Sequence, residues 1–150
     1  MSSALDKPIW SQIMQEANGL FQSQHYDAAL VRYDSALALI DSLISGGRPC
    51  PGLLMAKIVS HHNRANALIK VSRLGDADTD LACAYAFSKS ITEDDRMPEQ
   101  LRAAARRHCA VCFQEWQAFR SEFGSPPCDR CAGPEEHLHS LDIAGPVTVH

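Results

Sequence analysis

The sequence predicts an all-α protein. Three observations carry that reading. Apolar residues recur at helical spacing through most of the first 124 positions, glycine and proline cluster in short stretches between those runs, and the chain resembles itself at an offset of 48 residues. The offset maps Ala17 onto Ala65, Leu20 onto Leu68, Ala29 onto Ala77, Tyr33 onto Leu81 and Ala36 onto Ala84. The clearest stretch runs from His61 to Ala84. Its first half carries Ala65, Leu68 and Ile69 at helical period, Gly75 reads as a break, and Asp76 reads as the N-cap of a second helix with Ala77, Leu81, Ala84 and Tyr85 on one stripe. Small residues at Ala65, Ala77 and Ala84 would let two helix backbones approach closely.

Taken in order, the chain divides into five helical segments. Pro8 suits a first helical position, and a helix from about Pro8 to Ser23 would turn Ile9, Ile13, Ala17, Leu20 and Phe21 inward, with Trp10 as a packing residue at the end of the stack. A second helix from about Tyr26 to Ile44 carries Ala29, Leu30, Tyr33, Ala36, Leu37, Ile40 and Ile44. The stretch from Ser45 to Gly52 holds Gly46, Gly47, Pro49 and Pro51, which cannot all sit inside one helix. A third helix is expected from about Leu53 to Ser72 and a fourth from Asp76 to Ile91. After the polar break at Thr92 to Met97, a fifth runs from Pro98 to Phe123 with Leu101, Ala105, Cys109, Cys112, Trp116, Phe119 and Phe123 on its stripe. Gly124, Pro126 and Pro127 end helical structure, and the remainder to His150 has no stripe. The expected organisation is a helical domain over residues 1–124 and a Cys- and His-containing tail over 125–150.

Bulk properties narrow the function classes. At 150 residues the chain is long enough to bury a core without staples. Its net charge of −4 gives nucleic-acid binding no electrostatic support. No run approaches the ~18 consecutive apolar residues of a membrane span, and the first ten residues, MSSALDKPIW, contain no apolar signal core. Six cysteines without an export signal read as reduced thiols or metal ligands, so the expectation is a cytoplasmic protein with neither a membrane nor a nucleic acid as partner.

The repeated skeleton resembles the tetratricopeptide repeat. Ala29, Tyr33 and Ala36 match that family's small–large–small half-motif, preceded by Tyr26-Asp27 in the place of a frequent turn dipeptide. Asn63-Arg64-Ala65, with Asp80, resembles a branch of the family in which the arginine and the aspartate pair across two helices. The resemblance implies antiparallel helical hairpins: two repeats over about residues 9–90 plus a long capping helix. The period of 48 exceeds the 34 residues usual for this repeat, and the excess fits in residues 42–56. Ile13 and His61 stand in the tryptophan slot, Glu16 stands where a leucine is usual, and Asp41 and Lys89 stand where a proline usually ends the repeat.

The resemblance also implies a concave face built by the first helix of each repeat. Its projected positions are Ser11, Met14, Gln15, Asn18 and Gln22 from the first unit, and Val59, His62, Asn63, Asn66 and Lys70 from the second. Asn18 and Asn63 fall where related proteins grip a terminal carboxylate, although Met14 stands where those proteins carry a lysine. Arg102, Arg106 and Arg107 give the fifth helix a positive patch suited to an acidic peptide, against the plainer reading of a solvated helix face.

A separate candidate lies in the tail. Cys128-Asp129-Arg130-Cys131 is a C-x-x-C turn, followed by His137 and His139, and these four could close a structural zinc site. The plainer alternative is a tail with incidental Cys and His. Cys109 and Cys112 share the same spacing inside a predicted helix, where they read as core packing, and Cys83 reads the same way. His61 and His62 point about 100° apart on a helix and are poorly placed to chelate one ion. No phosphate loop, nucleophile elbow or H-E-x-x-H motif occurs.

The expected function is therefore a non-enzymatic adaptor or scaffold that binds a protein or peptide in a groove. Apolar contacts would come from Met14, Phe21 and Ile69, and orientation from Asn18, Asn63, Asn66 and Lys70. A secretion-type chaperone and a zinc-binding regulatory protein are the alternatives. Two repeats fall short of the ~3 usual for a stable array, which leaves self-association as a homodimer open as well.

Overall fold

The computed structural model describes residues 8–47 and 50–124. Those residues form five helices: α1 (Ile9–Gln22), α2 (Tyr26–Gly46), α3 (Pro51–Lys70), α4 (Leu74–Thr92) and α5 (Glu99–Phe123). No strand occurs among the described residues. Contacts gather the chain into two compact units, Met1–Ser72 and Arg73–His150, so the boundary falls inside the second expected repeat.

In the first unit α2 lies between its neighbours, packing on α1 and on α3, while α1 touches α3. The α1–α2 interface closes over alanines, because Ala17, Ala29 and Ala36 have no exposed surface and let the backbones come close. Tyr33, Leu37 and Ile40 fill the space beside them. Ion pairs from Arg32 to Glu16 (3.3 Å), Lys57 to Asp41 (2.5 Å) and Arg64 to Asp34 (2.8 Å) decorate the surface of these interfaces. Each involves at least one well-exposed partner and is worth no more than ~1 kcal/mol. Burial of the apolar stripes is the larger contribution.

The sequence expectation for the break before α4 needs correction. Gly75 lies within the first turn of α4, which begins at Leu74, and Asp76 does not cap it. Asp76 instead accepts from Arg73 Nε (3.1 Å) and Nη2 (2.7 Å). The left-handed residue comes earlier, at Ser72, whose φ is +63°. The same path occurs between α1 and α2, where Gln24 has φ +66°. There the His25 N–H donates to Leu20 O and the Gln24 N–H to Phe21 O, the paired bonds of a Schellman cap. The dihedrals agree residue by residue at the 48-residue offset: Ser23 (−86°, 7°) with Val71 (−101°, 14°), and His25 (−92°, 70°) with Arg73 (−94°, 71°). The turns were not legible as caps because a glycine ordinarily marks this conformation.

The second unit is the α4–α5 pair. Ala105, Phe113 and Trp116 of α5 are fully buried, and Tyr85 of α4 packs its ring against Phe113 (5.3 Å) and Trp116 (5.9 Å). Asp78 is buried with these rings. Its Oδ1 accepts from Trp116 Nε1 (2.8 Å) and from Arg120 Nε (3.1 Å), and its Oδ2 accepts from Arg120 Nη2 (3.3 Å). The Arg120 guanidinium also stacks 4.8 Å over the Trp116 ring. The carboxylate thus meets both the indole and a forked cation, which is what makes its burial tolerable. Gly124, at φ +77°, ends α5 with its N–H on Arg120 O.

Two stability outcomes follow from these features. Gln24→Gly and Ser72→Gly should each raise stability by about 0.5–1 kcal/mol by relieving the left-handed residue, read from urea midpoints. Asp78→Ala should lower stability by about 3–5 kcal/mol, since it removes the buried carboxylate that Trp116 and Arg120 both meet, and Trp116→Phe should cost about 2–3 kcal/mol, since it removes one hydrogen bond and part of a fully buried ring system.

Candidate functional site

Four of the projected groove residues meet at one place. Asn18 and Gln22 of α1 and Asn63 and Asn66 of α3 line a cleft of about 330 Å³ together with Phe21 and Tyr33. The helical period explains the grouping. Asn18 and Gln22 are one turn apart, as are Asn63 and Asn66, so each helix turns a pair of carboxamides to the same side. Asn18 and Asn66 are also equivalent positions at the 48-residue offset.

Tyr33 forms the base. Its ring is 1% exposed, and its Oη–H donates to Asn18 Oδ1 at 2.6 Å. Burial raises the phenol's pKa above the ordinary 10.0. Asn63 Nδ2 donates to the same Asn18 oxygen at 3.3 Å. One buried phenol and one amide from α3 therefore converge on one acceptor of α1. Phe21, half-buried, stands edge-on to Tyr26 at 5.3 Å and supplies an apolar wall.

The other projected residues lie elsewhere. Met14 is only 8% exposed, and Ser60 Oγ–H donates to its Sδ at 3.0 Å, so its side chain belongs to the interior rather than to an apolar docking surface. The small volume around it suits the flexible thioether. His62 is half-buried, and Lys70 is exposed at the C-terminal end of α3, where its charge suits the helix dipole. Arg102 and Arg106 belong to the second unit. Arg102 reaches Asp95 (3.6 Å), Glu99 (3.5 Å) and Thr92 O (3.3 Å), and Arg106 lies 3.9 Å from Glu99. Acids at the start of α5 thus answer both arginines. Arg106 also borders a second cleft of about 260 Å³, with Tyr85, Lys89, Thr92, Glu93, Cys109 and Ala110.

The cysteines separate by burial. Cys112 is 1% exposed, and desolvation pushes its thiol up to about 12. Cys109 is half-buried and also raised by burial, in part offset by a hydrogen bond with Ser88. A thiol held protonated is a poor nucleophile and a poor metal ligand. Cys83, expected beside the small-residue stripe of the core, is exposed, although Ala82 and Ala84 on either side of it are buried. No group of three or more metal-ligating side chains occurs among the described residues. Cys128, Cys131, His137 and His139 lie outside them. No helix of the described residues is long and apolar enough to cross a membrane.

A family model described as a protein of unknown function, DUF2753, matches residues 8–149. The chain belongs to the DUF2753 family. No curated protein and no solved structure matches it. The family match takes in all five helices of this DUF2753 protein and continues through the Cys128–His139 stretch.

Two features of this DUF2753 chain escaped the sequence reading. The Tyr33–Asn18 bond joins positions assigned separately to core and groove. The Asp78–Trp116–Arg120 cluster left only a faint trace, the four-residue spacing of Trp116 and Arg120.

The raised thiol and phenol predict an alkaline weakness. Each group stays protonated in the folded chain over a range in which the unfolded group has ionised. Their contribution is complete below the unfolded value and lost as pH climbs through the folded one. For Cys112 that window runs from its ordinary 9.0 to about 12, with stability falling by up to about 1.4 kcal/mol per pH unit. Urea titrations across the window should show a shallower decline for Cys112→Ala than for the wild type, and Tyr33→Phe should reduce the decline above pH 10.

Proposed function

We propose that this protein is a non-enzymatic binding module that docks a segment of another protein in the α1–α3 cleft, in the manner of tetratricopeptide-like adaptors. The observation that carries the reading is the convergence of Asn18, Gln22, Asn63 and Asn66 on one cleft with an aromatic base and wall. Carboxamides both donate and accept, so such a cleft suits peptide groups, and Phe21 adds an apolar surface against which a side chain can rest. The backbone path shared by residues 23–25 and 71–73 supports the 48-residue repeat behind the resemblance. A rigid helical support keeps the ordering entropy of binding low, so a few contacts suffice for useful affinity.

The chemistry of a catalyst is not part of this proposal. The cleft offers amides, a phenol bound to an amide oxygen and a phenyl ring, with no nucleophile activated by a base. Lys70 stands outside the lining and would act on the rim, by attracting an acidic neighbour of the docked segment.

The test is affinity capture with the wild-type chain beside Asn63→Ala and Lys70→Ala. A specific partner retained by the wild type should be lost or reduced about tenfold by Asn63→Ala and weakened less by Lys70→Ala. A partner captured equally by all three would place docking elsewhere on the chain.

A further inference from the structure

Among the described residues the cleft lining contains no charged side chain. Those lining it are three asparagines, one glutamine, one phenylalanine and one tyrosine. A carboxylate entering it would leave water without gaining a cation, an unfavourable exchange. The position at which a lysine could have supplied that charge is Met14, which points to the interior and is held by Ser60. The basic residues nearest to the cleft in sequence on α3, Arg64 and Lys70, are not among its described lining residues, and Arg64 is paired with Asp34 at 2.8 Å.

The hydrogen-bond inventory narrows the occupant further. An asparagine side chain has two N–H donors and one oxygen with two lone pairs. Asn18 Oδ1 already receives the Tyr33 hydroxyl and an Asn63 N–H, so both lone pairs are engaged. What Asn18 has left to offer is its two N–H groups. Asn63 has spent one N–H on Asn18 and keeps its oxygen. Among the described residues, neither that oxygen nor the Asn18 N–H groups take part in another bond. The cleft thus presents donors on α1 beside an acceptor on α3. An extended residue turns its own N–H and C=O to one side of the strand, as in the doubly bonded pairs of antiparallel sheets.

We infer that the cleft takes an uncharged, extended stretch of a partner's main chain, with Asn18 donating to the C=O and Asn63 Oδ1 accepting from the N–H of a single residue, and that it does not recognise a terminal carboxylate. This inference rests on the docking role proposed above and adds the chemistry of the ligand. Tyr33 is a positioning residue here. Its buried hydroxyl holds the Asn18 oxygen inward and so keeps the N–H groups available. Phe21 offers the bound residue an apolar wall.

The probe is a doubly blocked residue, N-acetylalanine N′-methylamide, titrated into the full chain while the side-chain NH2 signals of Asn18, Asn63 and Asn66 are followed by ¹H–¹⁵N NMR. Sodium acetate is titrated in parallel. The blocked residue should move the Asn18 and Asn63 signals saturably, and acetate should leave them in place. Asn18→Asp keeps an oxygen for Tyr33 and Asn63 but loses both N–H groups, so it should weaken the blocked residue by about tenfold or more. Tyr33→Phe should weaken it less, by a few fold, with the urea midpoint of each variant recorded to show that the fold persists. Acetate moving these signals as strongly as the blocked residue would overturn the inference while leaving a docking cleft. Unchanged affinity in Asn18→Asp, or no movement of the Asn18 and Asn63 signals with the blocked residue, would also overturn it. In either case a partner lost on Asn63→Ala capture would leave the broader docking role standing.

Discussion

A phenol buried between helices has to find an acceptor, and much of the first unit follows from how Tyr33 finds one. The close-packed alanines at 17, 29 and 36 draw α1 and α2 together until the Tyr33 ring is almost wholly enclosed. Its hydroxyl then reaches Asn18 across the interface. Leaving that hydroxyl unsatisfied would cost about 1–3 kcal/mol, so the Asn18 carboxamide is turned with its oxygen toward the core. Asn63 on α3 joins the same oxygen. A packing requirement thereby fixes the polarity of a surface cleft, and the core residue and the surface residues act as one unit.

The second unit solves a related problem with a full charge. Asp78 lies at the 48-residue offset from Leu30 of the first unit. There an aliphatic side chain is buried on α2; here a carboxylate is buried on α4 and matched by an indole N–H and a guanidinium. Arg120 in turn lies over the Trp116 ring, so the cation is held by two different attractions. Such a cluster is weak evidence of extra stability over an apolar core. Its hydrogen bonds tie α4 to α5 at one point of their interface.

All five helices were legible in the sequence because their stripes are long, and because glycine or proline stands between α2 and α3 and between α4 and α5. Ends were displaced by one or two residues, as at Gly46 and Pro51. The one misplaced break, at Gly75, arose because glycine is the usual sign of a reversal, whereas this chain uses Gln24 and Ser72 in that conformation. Asn18, Gln22, Asn63 and Asn66 are grouped by what the resemblance implies, while helical spacing pairs them only within each helix. The resemblance misplaces Met14 in the groove, because a methionine suits either a wall or an interior and only the neighbouring Ser60 decides. The Tyr33 and Asp78 bonds depend on which side chains lie opposite across an interface, information that no single helix period contains.

Leu30 and Asp78 make α2 and α4 unlike in what each can pack against. A carboxylate in the place of Leu30 would be buried beside the alanines of the α1–α2 interface, and a leucine in the place of Asp78 would take away the carboxylate that Trp116 and Arg120 meet. Each helix is thus matched to its own neighbour and would serve poorly in the other's place.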